Sequence, residues 1–109
     1  MAANPLPPPT LTLVTEKMPT EATVRCSGKI TMENADQLRD TARKLISESK
    51  RLVLDFSDVS YLDSSGLSML LLLHVHAGQR KFRVQIINTR PDVRRSLDIA
   101  KFGELFDIR

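Results

Sequence analysis

The chain has 109 residues, 41% of them hydrophobic and 27% charged, with 16 basic against 13 acidic side chains and a net charge of +3. This is the profile of one globular domain able to bury its own core; a mild, scattered basic excess with no tryptophan and one tyrosine excludes a stacking or stripe-like nucleic-acid binder, so no direct nucleic-acid contact is expected. The lone Cys26 excludes an internal disulfide, and the longest apolar run, Met69 to Leu73, is far too short to insert into a membrane; with no basic-then-apolar start to mark a secretory signal, a cytoplasmic protein is expected.

Residues 1–9 contain four prolines and read as a disordered or extended tail, leaving residues 10–109 as the domain. Thr10 to Lys17 and Ala22 to Ser27 alternate apolar and polar residues around the turn at Met18-Pro19-Thr20, which predicts a hairpin with Ala22, Val24 and Cys26 on one face, closed by Gly28. Ala35, Leu38, Ala42, Leu45 and Ile46 recur at spacings of three, four and seven, which predicts an amphipathic helix; Glu33 and Asp36 near its start and Lys44 nearer its end suit its dipole. Arg51 to Phe56 is a short continuous apolar run suited to a central strand.

From Ser65 to His76 no breaker interrupts a second helix that is apolar nearly all round, so it is either deeply buried or offers an apolar patch to a partner. Phe82, Val84 and Ile86 alternate in a further strand ending at Asn88. Pro91 then opens a helix carrying Val93, Leu97 and Ala100, and Leu105 to Ile108 form a last short strand or tail. The order β-β-α-β-α-β-α implies an α/β fold, one mixed sheet of about four to five strands covered by helices.

The chemistry on offer is sparse. Ser64 is not in a Gly-x-Ser-x-Gly elbow, and no Walker-type glycine loop is present. His74 and His76 point roughly 200° apart on a helix and cannot share a metal. Asp55, Asp58 and Asp63 could in principle hold Mg²⁺, but they read more simply as residues ending a strand and capping a helix. The basic groups Arg80-Lys81-Arg83 and Arg90-Arg94-Arg95 read as solvated faces. Neither an enzyme nor a cofactor is expected. What stands out is Asp63-Ser64-Ser65-Gly66-Leu67, which puts a small hydroxyl at a helix entry, among unpaired N–H groups and the positive end of the dipole. Such a serine is either a plain cap or a switch.

The run Leu52-Val53-Leu54-Asp55-Phe56-Ser57-Asp58-Val59-Ser60-Tyr61-Leu62-Asp63-Ser64-Ser65-Gly66-Leu67 closely resembles the signature of STAS domains (sulfate transporter and anti-sigma-factor antagonist). The likeness continues through Asn88-Thr89-Arg90-Pro91, through Phe102-Gly103-Glu104-Leu105, and from Leu11 to Leu38. It implies a STAS-like fold without catalysis. It also implies that the chain captures an anti-sigma factor with serine kinase activity, freeing sigma; phosphorylation of Ser64 by that partner ends the capture, and a serine phosphatase restores it. Asp63, Ser65, Gly66 and Leu67 then border the contact, with Gly66 keeping the approach to the hydroxyl open. Thr31 and Met32 join from the loop Gly28-Lys29-Ile30-Thr31-Met32-Glu33, where many relatives read Gly-Glu-Leu followed by an acid. Ser68 stands where glycine is frequent. On the helix, Met69 and Leu72 are expected to be exposed contacts, three residues apart on one face, with Leu67, Leu70, Leu71 and Leu73 in the core. The alternative is a structural STAS subunit of a lipid-transport or stress-signalling complex.

Overall fold

The computed structural model describes residues 10–78 and 83–109. The proline-rich stretch 1–9, Arg80, Lys81 and Phe82 lie outside the described residues. Five strands form one sheet in the order β1 (Leu11–Lys17), β2 (Glu21–Ile30), β3 (Arg51–Leu62), β4 (Arg83–Ile87) and β5 (Asp107–Ile108). β1 runs antiparallel to β2, as the hairpin pattern predicts, and every other pair is parallel. The crossovers are α1 (Ala35–Glu48), α2 (Ser64–Gly78) and α3 (Pro91–Ile99), the last followed by a 3₁₀ turn at Phe102–Glu104.

α1 and α2 pack against each other and over β3, so they share one face of the sheet. The alternation of β2 drives Ala22, Val24 and Cys26 into that layer, all fully buried, against Leu38, Ala42, Leu45 and Ile46 of α1. On the opposite face Arg25 and Asp55, in register across β2 and β3, meet at 3.9 Å. Burial pushes the Asp55 carboxyl upward, but hydrogen bonds from Ser57 and Asn88 and the charge of Arg25 outweigh it, leaving the group below its ordinary value.

β3 is longer than its apolar run suggests, continuing past Phe56 to Leu62. The reason is bulging. Against β2, β3 gains one residue between Arg25 and Ser27 and another between Gly28 and Lys29, and each shift flips the side-chain parity. Its buried positions are therefore Leu52, Leu54 and Phe56, then Val59, then Leu62, with Val53 buried on the other face. Gly28 does not close β2 but sits inside it at φ 117°, where a Cβ would lie 2.2 Å from the Thr10 carbonyl oxygen. Despite the two bulges β3 stays paired with β2 to its last residue, Leu62 against Ile30, so that α2 starts beside the β2–α1 loop.

Candidate functional site

That junction is held by one side chain. Asp63, directly before α2, accepts the Gly66 N–H through Oδ1 at 2.9 Å and the Met32 N–H through Oδ2 at 3.0 Å. The first bond is the N-cap of α2; the second ties the β2–α1 loop to the same carboxylate. Asp63 also donates its own N–H to the Ile30 carbonyl at 3.1 Å, and its carbonyl accepts the Leu67 N–H that begins the helical ladder. Asn34 closes the loop from the other side: its Nδ2 donates to the Lys29 carbonyl and its Oδ1 accepts the Thr31 N–H. The two loop positions, Thr31 and Met32, are thus fixed by backbone bonds, and Met32 is left 77% exposed.

Ser64 is accordingly not the cap. It occupies the first position of α2, exposed, and its hydroxyl makes no hydrogen bond among the described residues. Ser65 is half-buried in the next position. Gly66 is buried, and a Cβ there would lie 2.4 Å from Leu62 Cδ1 and 3.1 Å from Ile30 Cγ2. Its smallness serves close packing of α2 on the ends of β2 and β3, and does not clear a path to the hydroxyl as the sequence suggested. Leu67 is half-buried against the core.

The close approach at Gly66 fixes how α2 is rotated. Gly66, Met69, Leu70, Leu73 and Ala77 point inward; Ser64, Ser68, Leu71, Leu72 and Val75 face solvent. Two expectations are thereby corrected. Met69 is buried, at 4% exposure, and Leu71 is exposed, at 45%, because the core stripe runs through the glycine. Leu72 is exposed as expected.

Between α1 and the first turns of α2 lies a groove of about 410 Å³ that brings together Met32, Ser64, Ser65 and Leu72, with buried Met69 at its base. Its far wall is Asp36 and Arg39 of α1, where the Arg39 guanidinium bridges Asp36 at 3.1 Å and Asp40 at 3.2 Å. In the sequence Asp36 reads only as a residue that suits the helix dipole, and nothing in the spacing of Asp36 and Arg39 marks them as facing α2. Asn34 was also missed, although asparagine directly before a helix is a familiar loop-closing residue. Asp55, Asp58 and Asp63 do not converge on a common point, and no cluster of metal-ligating side chains occurs among the described residues. No helix among them is long and apolar enough to cross a membrane. Of the second basic group, Arg90 donates to the Ser57 carbonyl and Arg94 pairs with Asp98.

The arrangement offers no nucleophile–base pair. It offers a spare hydroxyl on a rigid helix end, bordered by exposed apolar side chains. The STAS domain family model matches residues 12–109. A STAS-domain containing protein of Pseudomonas aeruginosa, PA14_20770, is 36% identical over 81% of this chain and 87% of its own length. A putative anti-sigma factor antagonist of Bordetella bronchiseptica, BtrV, is 28% identical over 74% of this chain and 71% of its own length. In fold, the chain matches the Bacillus cell fate determinant SpoIIAA, solved in its phosphorylated form, with a TM-score of 0.72 at 18% identity, covering 90% of this chain and 91% of that one. The chain belongs to the STAS domain family.

Proposed function

We propose that this chain is an anti-sigma-factor antagonist that works by binding, without catalysis, in the cytoplasm. Unphosphorylated, it captures a kinase-type anti-sigma factor; phosphorylation of Ser64 by that partner ends the capture, and a serine phosphatase restores it. The observation that carries the reading is the division of labour at the start of α2: Asp63 caps the helix, which leaves the Ser64 hydroxyl exposed at the lip of the groove. The name of the BtrV relative and the phosphorylated form of SpoIIAA support the same assignment.

The physics suits a switch. A phosphate adds roughly −1.5 to −2 charges at neutral pH, beside the Asp63 carboxylate. Inside a packed contact that charge meets repulsion and a desolvation cost, and each 1.4 kcal/mol lost is about tenfold in affinity. The helix dipole steadies the added charge in the free domain, so the modified form stays folded.

The test is reconstitution with the kinase-type anti-sigma factor of the same genome and ATP, followed by fragmentation to map the site. One phosphate on Ser64 is expected. Ser64→Ala should still bind the partner, while Ser64→Asp binds at least about tenfold more weakly. Phosphate on Ser65, no phosphate, or equal affinity for the two variants refutes the reading.

A further inference from the structure

We propose that the contact does not stop at Ser64 but continues along the α1/α2 seam as a channel that receives one helix of the kinase-type anti-sigma factor, with Arg43 meeting an acidic residue at its far end. This rests on the function proposed above and names the partner element that the site takes.

The channel is continuous. Beyond the groove at Ser64 lies a second depression of about 280 Å³, lined by Arg39, Arg43, Leu72, Leu73, Val75 and His76, and the two share Arg39 and Leu72. From Ser64 to Val75 the helix rises roughly 16 Å, the length of a three-turn helix laid alongside it. The seam is apolar where a packing helix needs it to be. Leu72 is 57% exposed and Val75 52% exposed, three residues apart on one face, and Met32 stands at the other end. Apolar anchors at helical spacing in a groove between two helices are the pattern that binds an amphipathic helix.

The charges give the occupant a direction. At the Ser64 end are Glu33, Asp36 and Asp63, and Arg39 is already engaged by Asp36 and Asp40. At the other end Arg43 is exposed and has no ion pair among the described residues, with Lys44 next to it in sequence and His76 across the seam. An occupant helix therefore carries acidic residues toward Arg43 and none toward Ser64, where the carboxylates at that end would repel them. A second copy of this chain would set one concave seam against another and leave the channel unfilled, whereas a single helix about 10–12 Å across fills it.

The experiment measures binding of the unphosphorylated chain to the purified kinase-type anti-sigma factor by calorimetry, for wild type, Val75→Ser and Arg43→Glu. Melting temperatures, sedimentation and the Ser64 phosphorylation assay run alongside. Expected is about a tenfold rise in Kd for each variant, with unchanged melting. A lysine substitution at one acidic residue of the partner should restore Arg43→Glu. If wild type binds and is phosphorylated on Ser64 while both variants bind within about twofold of it, the channel is not the dock, though the proposed function stands. If the variants instead dissociate a homodimer, the occupant is a second copy and the inference is overturned. If wild type neither binds nor receives phosphate, function and inference fall together.

Discussion

Replacing Asp63 tests the claim that one carboxylate, and not the neighbouring hydroxyl, holds the site together. Asp63→Ala removes two acceptor contacts at once, to the Gly66 N–H at 2.9 Å and the Met32 N–H at 3.0 Å. Losing an N-cap costs about 0.5–2 kcal/mol, and a hydrogen bond to a charged group contributes about 1.5–3 kcal/mol. Asp63 is only half-buried, so water recovers part of each bond, and the variant should lose about 2–4 kcal/mol of unfolding free energy. Asp63→Asn retains an oxygen for the cap but presents an amide to the second N–H, so it should lose about 1–2 kcal/mol. Ser64→Ala, whose hydroxyl has no partner among the described residues, should stay within about 0.5 kcal/mol of wild type. Urea unfolding followed by far-ultraviolet circular dichroism gives all three values, provided the slope m is unchanged. A ranking in which Ser64→Ala costs as much as Asp63→Ala would refute the assignment of the cap. An asparagine variant as stable as wild type would refute the role of Met32 as the second donor.

Two further outcomes follow from burial. Met69→Ala should cost about 2–5 kcal/mol of stability as a core truncation, while Leu71→Ala should cost under about 0.5 kcal/mol; the opposite order in denaturant titration would mean that α2 is rotated about its axis. Cys26 is fully buried, and burial, with a smaller contribution from Asp55, pushes its thiol up to about 12. The native protein should therefore react with a thiol reagent at pH 8 no faster than it opens; rapid labelling that ignores stabilising solutes would contradict this. The linkage has a definite sign: the folded state disfavours the thiolate, so this contribution to stability is complete below the ordinary thiol range and is lost as the pH climbs toward 12.

Much of the fold was legible because the sequence punctuates it locally. The proline turn before β2, the three–four–seven stripe of α1 and Pro91 at the head of α3 each mark an element without reference to the rest of the chain. β3 was readable only as far as Phe56, because its alternation is broken by bulges that depend on pairing with β2, and register against a neighbouring strand leaves no local trace. The rotation of α2 was misread for a related reason. When apolar residues surround a helix, spacing alone favours no face. The signal was present in Gly66, whose missing side chain lets the backbone approach Leu62 and Ile30; the inward stripe through Met69, Leu70, Leu73 and Ala77 follows from that one residue. The wall formed by Asp36 and Arg39 was not legible, since it depends on how α1 lies against α2.

The same geometry explains why an exposed serine at this position can carry information without endangering the fold. Were Ser64 the cap, a phosphate on it would disturb the bond that starts α2, and signalling would be coupled to unfolding. With Asp63 holding both Gly66 and Met32, the scaffold around Ser64 is complete before any modification. On the proposed function, the added charge acts where α2 presents its outer face, in the groove shared with Met32 and Leu72. A change in surface electrostatics of this kind alters what can dock and leaves the core from Leu38 to Leu73 untouched. On the proposed function, stability and regulation fall to adjacent residues, and only the second of the two, Ser64, is exposed.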